Sequence, residues 1–287
     1  MLPLGPARAR MAARVDLLDK LEAPGLPVMR ARVLLPLGYG LRDHRYGVLY
    51  VMDGQWGFGD PANSFSIDRA FGQARRRMKS LPWIVVAVDN LGDDRFRQFL
   101  PQSVYAAAEP ALKARLDKEL AGKPILSGRF LDFVADRLRP LVDSRYRTRP
   151  GPEHTAILGA SMAGPFASVA MIERPDAFGR AASLSPQWPY YDLAMIDPPE
   201  LMRFWPAAFA KLGPPAGRLL WLETGTTMID GGFVGYQAAI ADALRRHGWQ
   251  DGLDLMLRVR QGGGNTWPEW AAEMNEILPW LLAEARS

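Results

Sequence analysis

Thr155-Ala156-Ile157-Leu158-Gly159-Ala160-Ser161-Met162-Ala163-Gly164 reads as a buried strand that stops at a glycine, turns through small residues and opens a helical pattern reaching Ile172. The apolar run is too short for a helix and ends in a turn former, whereas the residues after it repeat at helical spacing. The same order recurs along the chain. Strand-like runs lie at Met29 to Pro36, Tyr46 to Met52, Trp83 to Val88, Ala181 to Leu184, Leu219 to Leu222 and Leu253 to Val259. Helical patterns occupy Ile67 to Met78, Ala106 to Leu120, Phe130 to Val142, Phe233 to Arg246 and Trp270 to Ala285. Strands that alternate with helices of ten or more residues imply parallel pairing through right-handed crossovers. The expected fold is therefore α/β, with a mostly parallel central sheet and helices on both faces.

Composition narrows the functional classes. With 287 residues and 48% apolar content the chain can bury a large core, and one domain spanning 1–287 is expected. The proline- and aromatic-rich segment 189–215 breaks the periodicity and suits a small cap. Having no cysteine, the chain has no disulfide and no thiolate chemistry, and its three scattered histidines offer no helical zinc pair, so neither metal nor cofactor is expected. The formal charge of +4 is collected in local clusters such as Arg75-Arg76-Arg77, which read as a solvated helix face and not as a nucleic-acid surface. Neither a signal-like leader nor a membrane-length apolar run is present, so the default address is cytoplasmic, a mature secreted form being the alternative.

In parallel sheets ligands bind beyond the carboxyl ends of the strands. That edge comprises Asp53 to Trp56, Asp89 to Gln98, Ser161 with Met162, Ser185 to Tyr190, Thr224 to Asp230 and Gly262 to Trp267. Ser161 holds the position of a nucleophile elbow. A serine hydroxyl is a weak nucleophile unless a neighbouring base takes its proton. The Met162 N–H at the helix start would supply one oxyanion donor, and the backbone at Gln55 or Trp56 a second. His44, His154 and His247 each precede a strand and so belong to the opposite edge. A strand of five or six residues spans about 17–20 Å, too far for any of them to serve Ser161.

Five ordered motifs carry a resemblance. Tyr50-Val51-Met52-Asp53-Gly54-Gln55, Val88-Asp89-Asn90 with Arg95-Phe96-Arg97-Gln98-Phe99-Leu100-Pro101, the Ser161 elbow, Ala182-Ser183-Leu184-Ser185-Pro186 and the glycine-rich loop before Trp270 resemble the putative esterase family. Its members include the enterochelin esterases and esterase-D-like α/β hydrolases, and the likeness runs from about Val28 to Leu282. The resemblance implies an α/β-hydrolase fold, a Ser-His-acid triad and hydrolysis of small-molecule carboxylic esters, including siderophore, feruloyl and acyl esters.

Departures from that pattern matter as much. Gln261-Gly262-Gly263-Gly264-Asn265-Thr266-Trp267-Pro268-Glu269-Trp270 has the form of the family's histidine loop, with Asn265 where the imidazole should stand. Ala163 replaces a usual glycine, and Gln98 an expected carboxylate. The nearest acid after Gly225-Thr226 is Asp230, while Glu223 reads as structural. Asparagine has no titratable nitrogen near neutral pH. Three readings stay open: an ester hydrolase impaired or trapped at Asn265, a non-catalytic relative that binds a ligand or partner, and an acyltransferase. In each, Trp56, Trp188, Tyr190, Tyr191 and Trp267 would wall the pocket, Arg95 and Arg97 would hold an acidic group, and Asp53, Asp89 and Gln98 would face the ligand.

Overall fold

The computed structural model describes residues 13–40, 43–78, 82–190 and 198–284. Its strands are β1 (Arg14–Leu21), β2 (Met29–Leu35), β3 (Gly47–Met52), β4 (Trp83–Val88), β5 (Thr155–Ala160), β6 (Arg180–Leu184), β7 (Leu219–Gly225) and β8 (Leu255–Arg260). They form one sheet in the order β1-β2-β4-β3-β5-β6-β7-β8. From β4 across to β8 every pairing is parallel, and β1 and β2 add an antiparallel margin. The helices are α1 (Ile67–Met78), α2 (Arg95–Phe99), α3 (Gln102–Ala107), α4 (Pro110–Leu120), α5 (Ser127–Phe133), α6 (Arg139–Arg145), α7 (Ala163–Glu173), α8 (Pro199–Ala210), α9 (Val234–Arg246) and α10 (Trp267–Leu281).

The central strands are apolar throughout because both sheet faces are covered. Leu49, Val51, Val85, Ala87, Ala156 and Leu158 pack beneath α1 and α10 with Phe71, Met274 and Ile277. Their alternating neighbours Val48, Tyr50, Met52, Ile84, Val86 and Ile157 pack on the other face with Phe166, Met171, Ile240 and Leu244 of α7 and α9. The two-residue period of the strands thus feeds two cores.

Several elements depart from expectation. β1 carries Arg14, Asp16, Asp19 and Lys20 and leaves Val15 and Leu17 exposed, so its alternation is masked by charge; as an outer strand it needs little burial. The helix expected from Ala106 to Leu120 is two helices, because Pro110 restricts the preceding residue to extended backbone and itself opens α4. α5 runs into α6 through a π turn at Val134–Leu138, just before Pro140, which has no N–H to give the helix ladder. In the expected cap segment, residues 191–197, including Tyr191, lie outside the described residues. From Pro199 the same segment forms the regular helix α8, which packs on α9 and α3 and sends Trp205 and Phe209 into the core. Among the described residues no helix is long and apolar enough to cross a membrane.

The turn from β5 to α7 admits no side chain at Gly159, where a Cβ would lie 2.1 Å from the Ala163 carbonyl oxygen. Gly159→Ala is expected to cost roughly 1–3 kcal/mol and lower the melting temperature. Gly72→Ala, in open space on α1, should leave stability unchanged or raise it by up to about 1 kcal/mol. Thermal denaturation of the two variants checks the pair.

Candidate active site

Ser161 stands between β5 and α7 with φ of 55°, in the left-handed region that a serine adopts only when its surroundings enforce it. Three backbone hydrogen bonds do so: Ser161 N–H donates to Leu184 O (2.9 Å), and Ser161 O accepts from Gly164 (3.0 Å) and Gln187 (3.1 Å). The hydroxyl has no partner among the described residues. Ala163, where a glycine was expected, opens α7 without a positive φ, so its methyl group causes no backbone strain.

The Met52-Asp53-Gly54 turn is pressed against β4, with a Cβ on Gly54 only 2.2 Å from the Ala87 carbonyl carbon. The Trp56 N–H is spent on Asp53 O at 3.0 Å, which removes it as a candidate. Met162 N–H and Gln55 N–H have no hydrogen-bond partner among the described residues, and the Gln55 side chain is fixed by accepting from Asn90 N–H at 2.9 Å.

Asp230, after β7, is 0% exposed and lies beside the expected base position. Its Oδ2 accepts from Ser185 Oγ (2.6 Å) and Gly225 N–H (3.0 Å), and its Oδ1 accepts from Asn265 Nδ2 (3.2 Å). Trp270 Nε1 donates to Ser185 Oγ at 3.0 Å and so orients that hydroxyl toward the acid. Burial pushes the Asp230 carboxyl above its usual range, and the three donors partly offset the shift. Asn265 Nδ2 also lies 3.5 Å from Ser185 O. Ser161 and Asn265 are therefore both fastened to the Leu184–Gln187 turn at the end of β6. With Nδ2 turned to two acceptors, the amide leaves Oδ1, an acceptor without basicity near neutral pH, for the other side. His44 and His247 are exposed before β3 and β8, and His154 sits before β5, so no imidazole reaches this edge.

Most residues expected to line the pocket hold the scaffold instead. Asp53 is buried and bonded twice by Arg95, at 2.7 Å through both Nε and Nη2, and by Asn90 at 2.6 Å, so both of its oxygens are met within the protein. Arg97 donates to Pro124 O and Asp94. Gln98 is buried and braces the loop by accepting from Leu91 N–H. Asp89 pairs with Arg32 of β2. Trp188, 0% exposed, packs edge-on against Trp205 (4.8 Å) and Phe209 (5.9 Å) and walls no cleft. Tyr190 is a buried strut whose hydroxyl donates to Phe99 O (2.9 Å) and lies 3.1 Å from Met162 O. Trp267 and Trp56 differ: their rings meet at 5.3 Å, and Trp56 remains 38% exposed, so these two present an aromatic wall. The sequence reading missed Ser185 as the acid's partner, since nothing in a serine before a proline reveals which carboxylate it will meet.

A mostly parallel sheet that delivers a serine on a left-handed turn to its carboxyl edge is the architecture of the α/β hydrolases. Within that class the chain belongs to the putative esterase family, whose sequence profile matches residues 28–226; the match ends before Asp230 and Asn265. No curated protein matches the sequence significantly. Among solved structures it is similar to an IroE-like serine hydrolase from Shewanella oneidensis (TM-score 0.65, 17% identity, covering 93% of this chain and 79% of that one). It is also similar to the enterobactin esterase of Shigella flexneri (0.63, 17%, 97% and 62%). A third is the feruloyl esterase module of Clostridium thermocellum, solved with sinapinate (0.64, 16%, 96% and 90%). At such identities the likeness bears on fold alone.

Beneath the acid lies a second carboxyl cluster. Glu223 at the end of β7 (2% exposed) and Glu273 on α10 (3%) face Arg260 of β8, whose Nε is 2.5 Å from Glu273 and 3.7 Å from Glu223. Desolvation pushes both carboxyls up; Glu223 further disfavours ionisation of Glu273, whose hydrogen bond in turn favours the ionised Glu223, while Asp230 raises Glu223 and Glu269 raises Glu273. Arg260 opposes this without cancelling it. A raised carboxyl pKa means that the folded state binds more protons than the unfolded one, so stability falls as pH rises. The contribution is fully present below the ordinary 4.5 and is lost as pH passes about 7 and then about 10. Melting temperature measured from pH 6 to 10 should fall in the parent chain and fall less steeply in Glu273→Gln; equal slopes would refute the assignment.

Proposed function

We propose that this chain is a serine-hydrolase-fold ester hydrolase whose turnover is held down at proton transfer, because Asn265 stands where the general base belongs. The observation that carries the reading is the Asn265 Nδ2 to Asp230 Oδ1 contact of 3.2 Å, the bond that a triad imidazole would make with its acid. Ser161 is the nucleophile, with its carbonyl-carbon target held so that the developing oxyanion meets Met162 N–H and Gln55 N–H. Trp56 and Trp267 contact the apolar part of a small-molecule ester or acyl ligand. Asp230 orients the residue at 265. Asn265 Oδ1 can accept a hydrogen bond from Ser161 or from water, but the proton stays on oxygen. In a Ser-His-Asp protease, loss of the histidine costs on the order of a millionfold in turnover, about 8 kcal/mol of barrier.

The likeness to enterobactin and feruloyl esterases supports a carboxylic ester as the ligand class, although the scaffolding arginines leave the choice among esters open. Transfer of the acyl group to an alcohol uses the same nucleophile and oxyanion donors. Both outcomes require a base from substrate or solvent. A second reading, a non-catalytic relative that binds without turnover, is favoured by the free Ser161 hydroxyl, which touches no proton acceptor among the described residues.

Hydrolysis of p-nitrophenyl acetate is expected to run barely above background, and Asn265→His to raise it by at least about tenfold, since a placed general base contributes roughly 10²–10⁴-fold. Robust turnover that Ser161→Ala abolishes and Asn265→His leaves unchanged would put the base elsewhere. A fluorophosphonate should label Ser161 slowly; fast stoichiometric labelling would reveal an activated hydroxyl and refute the impaired reading.

A further inference from the structure

At the amino ends of β6, β7 and β8, the edge opposite Ser161, a cavity of about 240 Å³ opens beside the last turn of α10. Two arginines line it. Arg180, 2% exposed, gives Nε to Glu153 O (2.7 Å) and Nη1 to Leu281 O (2.7 Å) and Ala283 O (2.6 Å), and its guanidinium lies 5.2 Å from the Trp83 ring centroid. Arg218 gives Nε to Pro215 O, and Nη2 to the carbonyls of Leu212 and Pro214. Their hydrogen bonds go to carbonyl oxygens only; neither forms an ion pair with a carboxylate among the described residues, and Arg180 Nη2 and Arg218 Nη1 have no hydrogen-bond partner there.

For Arg180, which is buried where Arg218 is only partly so, such an arrangement is costly as it stands. A buried charge is normally paired, and carbonyl oxygens carry no net charge with which to neutralise it. Burial depresses both guanidinium pKa values, that of Arg180 to about 10, with Arg149 opposing its charge more than Glu153 supports it. The acids on the cavity wall do not relieve this. Glu284 lies 3.7 Å from Arg149 and is paired with it, and Asp254 accepts from Gln250 N–H at 2.6 Å. The remaining wall is apolar: Pro215, Leu219, the half-buried Trp280 ring and Leu253, which is 45% exposed.

We propose that this cavity binds a small organic carboxylate, its flat apolar body against Trp280 and its carboxylate received by Arg180 Nη2 and Arg218 Nη1. The planar guanidinium fork matches a carboxylate in shape and charge. The volume is below the roughly 300–1,000 Å³ of pockets for drug-sized ligands, which suits a single ring. A ligand here would leave the catalytic edge untouched, so the inference stands or falls independently of esterase activity.

Benzoate and its neutral isostere benzamide separate charge from shape. The indole N–H resonances are followed by NMR during titration of the full chain, with Trp280 assigned through Trp280→Phe. Benzoate should move the Trp280 resonance and saturate at millimolar concentration, benzamide should not, and Arg218→Gln should weaken benzoate by about tenfold or more, the worth of a charge-assisted hydrogen bond. The contrast within the unmodified chain stands even if Arg218→Gln loosens the 212–215 loop. A silent Trp280, an equal response to benzamide, unchanged affinity in a folded Arg218→Gln, or shifts confined to Trp56 and Trp267 would each overturn the proposal.

Discussion

A carboxylate with no exposed surface must be given hydrogen bonds or it will not stay ionised inside a protein. Asp230 is in that position, and the order of the whole carboxyl edge follows from meeting its needs. Ser185 turns its hydroxyl inward, Trp270 holds that hydroxyl, Gly225 offers a backbone N–H, and Asn265 supplies the remaining donor. Gly225 must be a glycine because the Gly263 carbonyl oxygen would lie 2.1 Å from any Cβ there. The β7 end and the 261–265 loop are thereby locked together around one charge.

This separates two tasks that an imidazole performs at once. One is structural, giving an N–H to the buried acid; the other is chemical, taking a proton from the serine. The side-chain amide of asparagine performs the first with a nitrogen of matching reach and lacks the second. The fold therefore tolerates Asn265 where it would not tolerate an apolar residue, which would leave Asp230 Oδ1 buried and unmet at a cost of roughly 1–3 kcal/mol.

Much of this was readable from residue order, and the reasons differ by element. Central strands such as Trp83–Val88 and the helix Ile67–Met78 announce themselves because burial on both faces, or on one stripe, forces an unmixed apolar pattern. β1 escaped notice because an outer strand can carry charge on most of its length. The elbow was visible because close packing at Gly159 and Gly164 demands glycine on either side of the turn. The pocket assignments fared worse: Asp53, Arg95, Arg97, Gln98 and Trp188 lie on the right stretches of chain, yet partner identity is a matter of angle and distance. A loop arginine that grips a buried aspartate and one that awaits a ligand have the same sequence signature. Ser185 was hidden for the same reason.

α10 begins in the loop that bears Asn265 and ends where Arg180 clamps the carbonyls of Leu281 and Ala283. Its 15 residues make a rod of about 22 Å that crosses the sheet from one rim to the other. Because it is one continuous helix packed along the sheet, its two tips are held a fixed distance apart. A single element thus sets the spacing between the two rims of the molecule.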